Sequence, residues 1–416
     1  MTPLRFILGR SRESNDPSDE TINIGRFYAL DSSLGGYVDL DISSPHIILV
    51  CGKRGYGKTY TLGVLTEELL KLREDIRRKI SIVIIDTLGV FWTLGYPNNR
   101  ERKLLEKWGL KPEGVNVTVY ITKNEEVLNS NGNIRMEKLR IKTCEITPEE
   151  WCYFLNIEPL DPLGIILTKT IMTLREQQVS FNIPDILSFI QNSSIEDYTK
   201  NMAETLLSFV DSLGIFSDEG LDANDLTRDG EVTVFDLSYI LDEYLKTSIA
   251  GFIGRKIFSY QIVRRKQFEG KWINNQPQDN CFSMIWLIVD EAQSFIPRRG
   301  NPLSRKVFIE NWLRQGRQPG LSMILATQHP SLLDQEVLSH SDLIISHRLT
   351  SRDDIEALSK LRPTYMSEEI EETMSRNISE RGVALVIDDN SESTHTVKIK
   401  PRRSWHGGAE PRLREI

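Results

Sequence analysis

Short, unbroken apolar runs punctuate this chain: "HIILVCG" (46–52), "ISIVIID" (80–86), "VNVTVYI" (115–121), "EVTVFDL" (231–237), "SMIWLIVDE" (283–291), "LSMILAT" (321–327) and "SDLIISHRL" (341–349). They lack the strict alternation of a strand with one wet face. Such runs suit strands buried on both faces, as in a parallel sheet covered by helices. Helix-period patterns lie between several of them, which gives an α/β sheet architecture.

Other stretches depart from that rhythm. Residues 1–20 are polar and are expected to be poorly ordered. Residues 21–45, "TINIGRFYALDSSLGGYVDLDISSP", alternate around Gly35-Gly36 and predict a small β-hairpin. Residues 146–230 carry helix-period spacing in "TPEEWCYFLNI", "PLGIILTKTIMTLREQQ", "IPDILSFIQ" and "IEDYTKNMAETLLSFVDSLGIF", with no strand-like run between them. They predict a helical subdomain inserted into the sheet domain. "GVALVIDDNSESTHTVKIKPRRSWHGG" predicts two strands joined by a polar turn, then an irregular tail. The expected division is a β segment at 1–45, a first core part at 46–145, the helical insertion at 146–230, a second core part at 231–400 and a tail at 401–416. No internal repeat or low-complexity segment is present.

Composition narrows the class. At 416 residues, the chain is too long for one ordinary core and implies two or three packed units. No stretch has the unbroken apolar length of a membrane span. Arg5 interrupts the short apolar piece at the N-terminus, which is not a signal peptide. Cys51, Cys144, Cys152 and Cys281 form no CxxC pair and read as reduced thiols of a cytoplasmic protein. The formal charge of −8 rules out a general coat of basic residues. A narrow basic channel remains open, because a ring of subunits multiplies a few local charges.

The chemistry begins at Gly52-Lys53-Arg54-Gly55-Tyr56-Gly57-Lys58-Thr59, which fits GxxxxGK[ST] between an apolar strand and a helix pattern. Glycines let backbone N–H groups turn inward around phosphate oxygens, and a helix N-terminus adds partial positive charge. Residues Gly52 to Tyr60 are the expected cradle for ATP. Lys58 would reach the β- and γ-phosphates, and the Thr59 hydroxyl would ligate Mg²⁺. The partner acids stand at the end of "MIWLIVDEAQSF". Asp290 would hold Mg²⁺, and Glu291 would orient and deprotonate the attacking water. The same pair could instead open a helix. Thr327-Gln328 end another apolar run, where Gln328 would sense the γ-phosphate or simply close a strand.

Taken in order, "GKRGYGKT", "IVDEAQSFIP", "RQGRQPGLSMILATQHPSLLD" and "SHRLTSRDD" resemble the HerA branch of the HerA/FtsK ATPases. The resemblance covers most of residues 21–408. It implies a P-loop NTPase core of RecA/ASCE type, an ATP- and Mg²⁺-dependent homohexamer, and translocation of double-stranded DNA. It also implies a separate nuclease or effector partner, in DNA-end processing or anti-phage defence. Within "RQGR" it implies an arginine finger offered to the neighbouring subunit, with Arg317 preferred to Arg314. It carries Lys58, Thr59, Asp290, Glu291 and Gln328 into the roles above. "PRRGNPLSRK" follows the catalytic strand as a loop, and Arg298, Arg299, Arg305 and Lys306 are its candidate DNA contacts; "VRRKQFEGK" is a weaker one. "PRRSWHGG" either folds back near a nucleotide or subunit boundary, or stays a flexible end.

Two departures stand out. The family's longer N-terminal β-barrel is not expected from the short segment before the first buried strand. Val90 replaces the glutamate of the family's Asp-x-x-Gly-Glu, leaving Asp86 as a supporting acid or a turn residue. A ring scaffold that uses ATP to control a partner enzyme, and a motor for DNA packaging or transfer, are the competing readings.

Overall fold

The computed structural model describes residues 4–10, 20–123, 133–177, 180–277, 282–360, 370, 373–374, 378 and 380–408. Cys281 and the tail beyond residue 408 lie outside them.

The strands run in chain order as β1 (Arg5–Leu8), β2 (Thr21–Tyr28), β3 (Leu34–Asp41), β4 (Ile47–Cys51), β5 (Ile80–Asp86), β6 (Val117–Ile121) and β7 (Ile134–Lys138). There follow β8 (Ile141–Lys142), β9 (Phe216–Ser217), β10 (Val232–Asp236), β11 (Met284–Val289), β12 (Leu321–Thr327), β13 (Leu343–Ser346), β14 (Val383–Asp388) and β15 (Ser393–Ile399). All but β8 and β9 join one 13-stranded sheet in the order β1-β3-β2-β15-β14-β13-β4-β12-β11-β5-β10-β6-β7. From β13 to β7 every neighbour is parallel. The apolar runs of the sequence are these strands, so the doubly covered parallel sheet read from them is what the chain builds.

Alternate residues of each strand feed different cores. Leu49, Cys51, Val83, Ile85, Leu287 and Val289 join the core beneath the helices of residues 148–211 and the long helix Glu243–Ile273. Ile48, Val50, Ile82, Ile84, Trp286 and Ile288 join the other core, with Leu62, Leu65 and Leu69 of α1 (Lys58–Leu70) and Ile22 and Val38 of the N-terminal hairpin. Both faces are therefore dry, which is why the strands carry no polar alternation.

The helical stretch is punctuated by capping boxes. The Thr147 hydroxyl accepts Glu150 N–H while the Glu150 carboxylate accepts Thr147 N–H, and Asn182 and Asp185 repeat the exchange. One expectation fails there: Phe216–Ser217 pairs with Ile141–Lys142 as a two-stranded sheet. A second correction lies at the N-terminus. Arg5–Leu8 is an edge strand parallel to β3, and Arg5 reaches the buried Asp39 at 2.6 Å. The hairpin β2–β3 continues the main sheet, because β2 pairs with β15.

Candidate nucleotide site

Order in the sheet brings the chemistry together. Between β4, which leads into the phosphate loop, and β11, which carries the acids, runs β12. Its end therefore places Thr327 and Gln328 between phosphate loop and acids. All three strands are parallel, so their C-terminal ends share one rim.

The phosphate loop closes onto α1 through left-handed glycines: φ is 148° at Gly52, 79° at Gly55 and 120° at Gly57. A Cβ on Gly52 would lie 2.6 Å from the His347 Cβ. His347, just beyond β13, is the buried floor of the loop. Its Nδ1–H donates to Val383 O at 3.1 Å, which leaves Nε2 to accept from the Thr61 hydroxyl at 2.8 Å. Burial pulls its pKa down to about 4, and the Lys58 charge acts in the same direction. A neutral imidazole thus sits under a loop made for anions. Beside it, Lys53 N–H bonds Arg348 O at 2.8 Å, and Arg348 stacks over the Tyr56 ring. Lys53, Arg54 and Gly55 are exposed on the loop's outer side.

Lys58 is buried, and that burial lowers its pKa against the pull of Glu291 and Asp290. Asp290 is fully buried. Its Oδ2 accepts from Thr59 Oγ1 at 3.1 Å, and its Oδ1 accepts Glu291 N–H at 2.9 Å. Burial first, then repulsion from Glu291, raises its pKa to about 6. A hydroxyl and a carboxylate facing each other are an oxygen-only donor set, which suits a hard cation such as Mg²⁺. Glu291 adopts left-handed backbone, φ 52° and ψ 47°. Its Oε1 accepts from Gln328 Nε2 at 2.6 Å. No regular α-helix starts at Asp290-Glu291; a short 3₁₀ turn, Ala292–Ser294, follows.

Asp86 takes the turn role. Its carboxylate accepts four backbone N–H groups, from Leu88, Gly89, Val90 and Phe91, at 2.7–3.0 Å. Its acceptors are spent on the bend after β5, even though burial raises its pKa to about 7.

The arginines separate. Arg314 pairs with Glu336 at 2.6 Å within its own chain. Arg317 is exposed and forms no ion pair among the described residues. It precedes β12, so it stands at the end of that strand opposite its own nucleotide rim. Of the candidate DNA contacts, Arg298 and Arg299 are exposed on a loop. Arg305 and Lys306 correct the loop expectation. They lie on the helix Leu303–Val307, Arg305 bound to Asp334 and Lys306 to Glu149, each at 2.5 Å.

The segment "PRRSWHGG" folds back across α1. Arg402 is buried, and its Nε reaches Glu67 Oε1 at 3.2 Å. Glu67 also accepts Arg403 N–H at 2.7 Å, Ser404 N–H at 3.1 Å and the Ser404 hydroxyl. Arg402 N–H donates to the Tyr60 hydroxyl at 2.7 Å, one residue from Thr59. Burial opposes both charges of the Arg402–Glu67 pair, and their attraction answers it. Arg402→Met leaves the buried Glu67 carboxylate without its cation and is expected to lower unfolding free energy by about 3–5 kcal/mol. Arg352→Ala, at an exposed pair with Glu356, should change stability little. Chemical denaturation of both variants measures the difference, and equal effects would refute the buried pair's role.

His347, Arg348, Gln293 and the Glu67–Arg402 anchor were not singled out from the sequence. His347 had a signal: it follows an apolar run, inside the quoted "SHRLTSRDD".

The family model described as "Helicase HerA, central domain" matches residues 22–257. A "DNA double-strand break repair helicase HerA" of Sulfolobus acidocaldarius is 23% identical over 405 residues, spanning 95% of this chain and 72% of the relative. VirB4 of Thermoanaerobacter pseudethanolicus superimposes with a TM-score of 0.59 at 15% identity, covering 97% of this chain and all of that one. That likeness is one of fold. Among the described residues, no helix is long and apolar enough to cross a membrane.

Proposed function

The chain belongs to the family of the HerA helicase central domain, and on that premise we propose that it is a P-loop ATPase whose ring of subunits, a homohexamer, moves along double-stranded DNA. The observation that carries this reading is the placement of one cation. Arg317 is exposed, without an ion pair among the described residues, at the far end of β12 from its own Lys58, Asp290 and Glu291. Seven residues of strand separate the two ends, about 20 Å at the usual rise. Arg317 suits a neighbour's nucleotide, so the active site is complete only in an assembly whose copies pack head to tail.

Within one site the division of labour is as follows. The loop Gly52–Tyr60 holds ATP, with backbone N–H groups and Lys58 on the phosphates. Thr59 and Asp290 would hold Mg²⁺, which screens charge between the phosphate oxygens when bound. Glu291 takes the proton of the water whose oxygen bonds the γ-phosphorus as the bond to ADP breaks. Gln328, bonded to Glu291, would report the γ-phosphate. Arg317 of the next subunit offsets the charge that develops.

The proposed coupling to DNA would run through one loop. Arg298 N–H bonds Leu332 O at 2.8 Å, and Pro297 bridges to Leu333. The exposed Arg298–Arg299 loop is thus stitched to the segment that follows Gln328. A change at the γ-phosphate can move those two cations along the phosphate backbone. A separate nuclease or effector would act on the DNA so moved, in end processing or in anti-phage defence.

The test is ATP hydrolysis with and without linear duplex DNA at two salt concentrations. Stimulation that fades with salt is expected, and Arg298→Ala/Arg299→Ala should weaken it without changing the DNA-free rate. Hydrolysis indifferent to DNA would replace the motor by an ATP-controlled ring that regulates a partner protein.

A further inference from the structure

Glu291 is held at both carboxylate oxygens. Gln328 Nε2 donates to Oε1 at 2.6 Å, and Gln293 Nε2 donates to Oε2 at 2.7 Å. The two amides differ in what stands behind them. Gln293 is anchored at its other end, where the buried Thr327 hydroxyl donates to Gln293 Oε1 at 2.7 Å. That hydroxyl in turn accepts His329 N–H at 3.0 Å. An ionised carboxylate only accepts, so the amide nitrogen must face Glu291 and the amide oxygen must face Thr327. Along Thr327–Gln293–Glu291 each donor thus meets an acceptor in one continuous direction. The Gln328 side chain bonds Glu291 alone among the described residues.

The backbone needs such a cradle. Glu291 sits in the left-handed region, which a non-glycine residue keeps only when its surroundings hold it there. Its side chain has several rotatable bonds, and a general base must stay within hydrogen-bond reach of the proton it takes.

We propose that Gln293 is a positioning residue for ATP hydrolysis: anchored by Thr327, it fixes Glu291 Oε2, so that Oε1 alone is exchanged between Gln328 and the attacking water. Gln293 is the fixed post and Gln328 the movable one. The inference rests on Glu291 as proton acceptor. It adds a link from the end of β12 to the base that does not pass through Gln328.

Gln293→Leu keeps the bulk and removes the amide. Its kcat for ATP is expected to fall about 10- to 100-fold, the usual cost of a base misplaced by about 1 Å. Affinity for a fluorescent ATP analogue should stay within about twofold of the parent, since the phosphates are held elsewhere. Thr327→Val should lower kcat in the same direction, and Thr327→Ser, which keeps the hydroxyl, should not. The Gln293→Leu/Thr327→Val double variant should be no slower than Gln293→Leu, because both act through one chain of bonds. A parental kcat in Gln293→Leu would overturn the proposal. So would additive effects in the double variant, or affinity lost in step with kcat. Glu291→Gln, assayed alongside, separates the two possible failures. If Glu291→Gln turns over normally, the base assignment fails and Gln293 loses its role with it. If Glu291→Gln is inactive while Gln293→Leu is normal, only the role of Gln293 fails.

Discussion

Glu291→Gln is expected to lower ATP hydrolysis by about 10²–10⁴-fold while leaving ATP binding intact. The substitution keeps size and shape, removes the ability to take a proton, and turns one of the two oxygens that accept from Gln328 and Gln293 into an N–H donor. In the proposed site the phosphates would be held by the loop ahead of α1 and by Lys58, which the change leaves in place. It also removes a negative charge beside Asp290, whose carboxyl is raised in part by that neighbour. Asp290 should therefore ionise more readily in the variant, and binding of Mg²⁺–ATP should hold or tighten. Lys58→Ala should behave differently, losing affinity and turnover together, because the buried ammonium would touch ground state and transition state alike. Hydrolysis at the parental rate in Glu291→Gln, with binding unchanged, would remove Glu291 from the chemistry.

Much of this site could be read from the chain because its parts are local. A phosphate loop is one contiguous turn, and the acids end one contiguous apolar run. A strand buried on both faces announces itself in composition alone. What escaped depends on pairs far apart in sequence. Lys306 has a basic, loop-like neighbourhood, yet its cation is spent on Glu149, 157 residues away. Arg402 meets Glu67 across 335 residues, so a segment that could have been a loose end is a buried strap. Asp86 keeps the family's acid but not its glutamate, and only the four N–H groups around it show where its charge goes. His347 lies under the phosphate loop because β13 borders β4, a fact of sheet order that no local pattern carries. Arg5–Leu8 was missed because a four-residue edge strand beginning with an exposed Arg has too little apolar signal.

The second large effect concerns Arg317. Arg314, the alternative within "RQGR", is held by Glu336 in its own chain and would have to break that bond to serve another site. Arg317, just past Gly316, has no ion pair to break among the described residues. Arg317→Ala is therefore expected to keep ATP binding and lower hydrolysis about 10³-fold or more, as loss of an arginine finger does. Arg314→Ala should cost much less. The decisive measurement mixes two inactive proteins. A site formed by Glu291 of an Arg317→Ala subunit and Arg317 of a Glu291→Gln subunit contains every group. Random co-assembly in equal amounts should restore about a quarter of the parental rate, because one junction in four pairs them in that order. The rescue should follow the mixing ratio and peak at equal amounts. Two differently tagged variants that co-purify as mixed assemblies yet stay inactive would show that Arg317 does not complete a neighbour's site. The head-to-tail ring inferred from its position would fall with it.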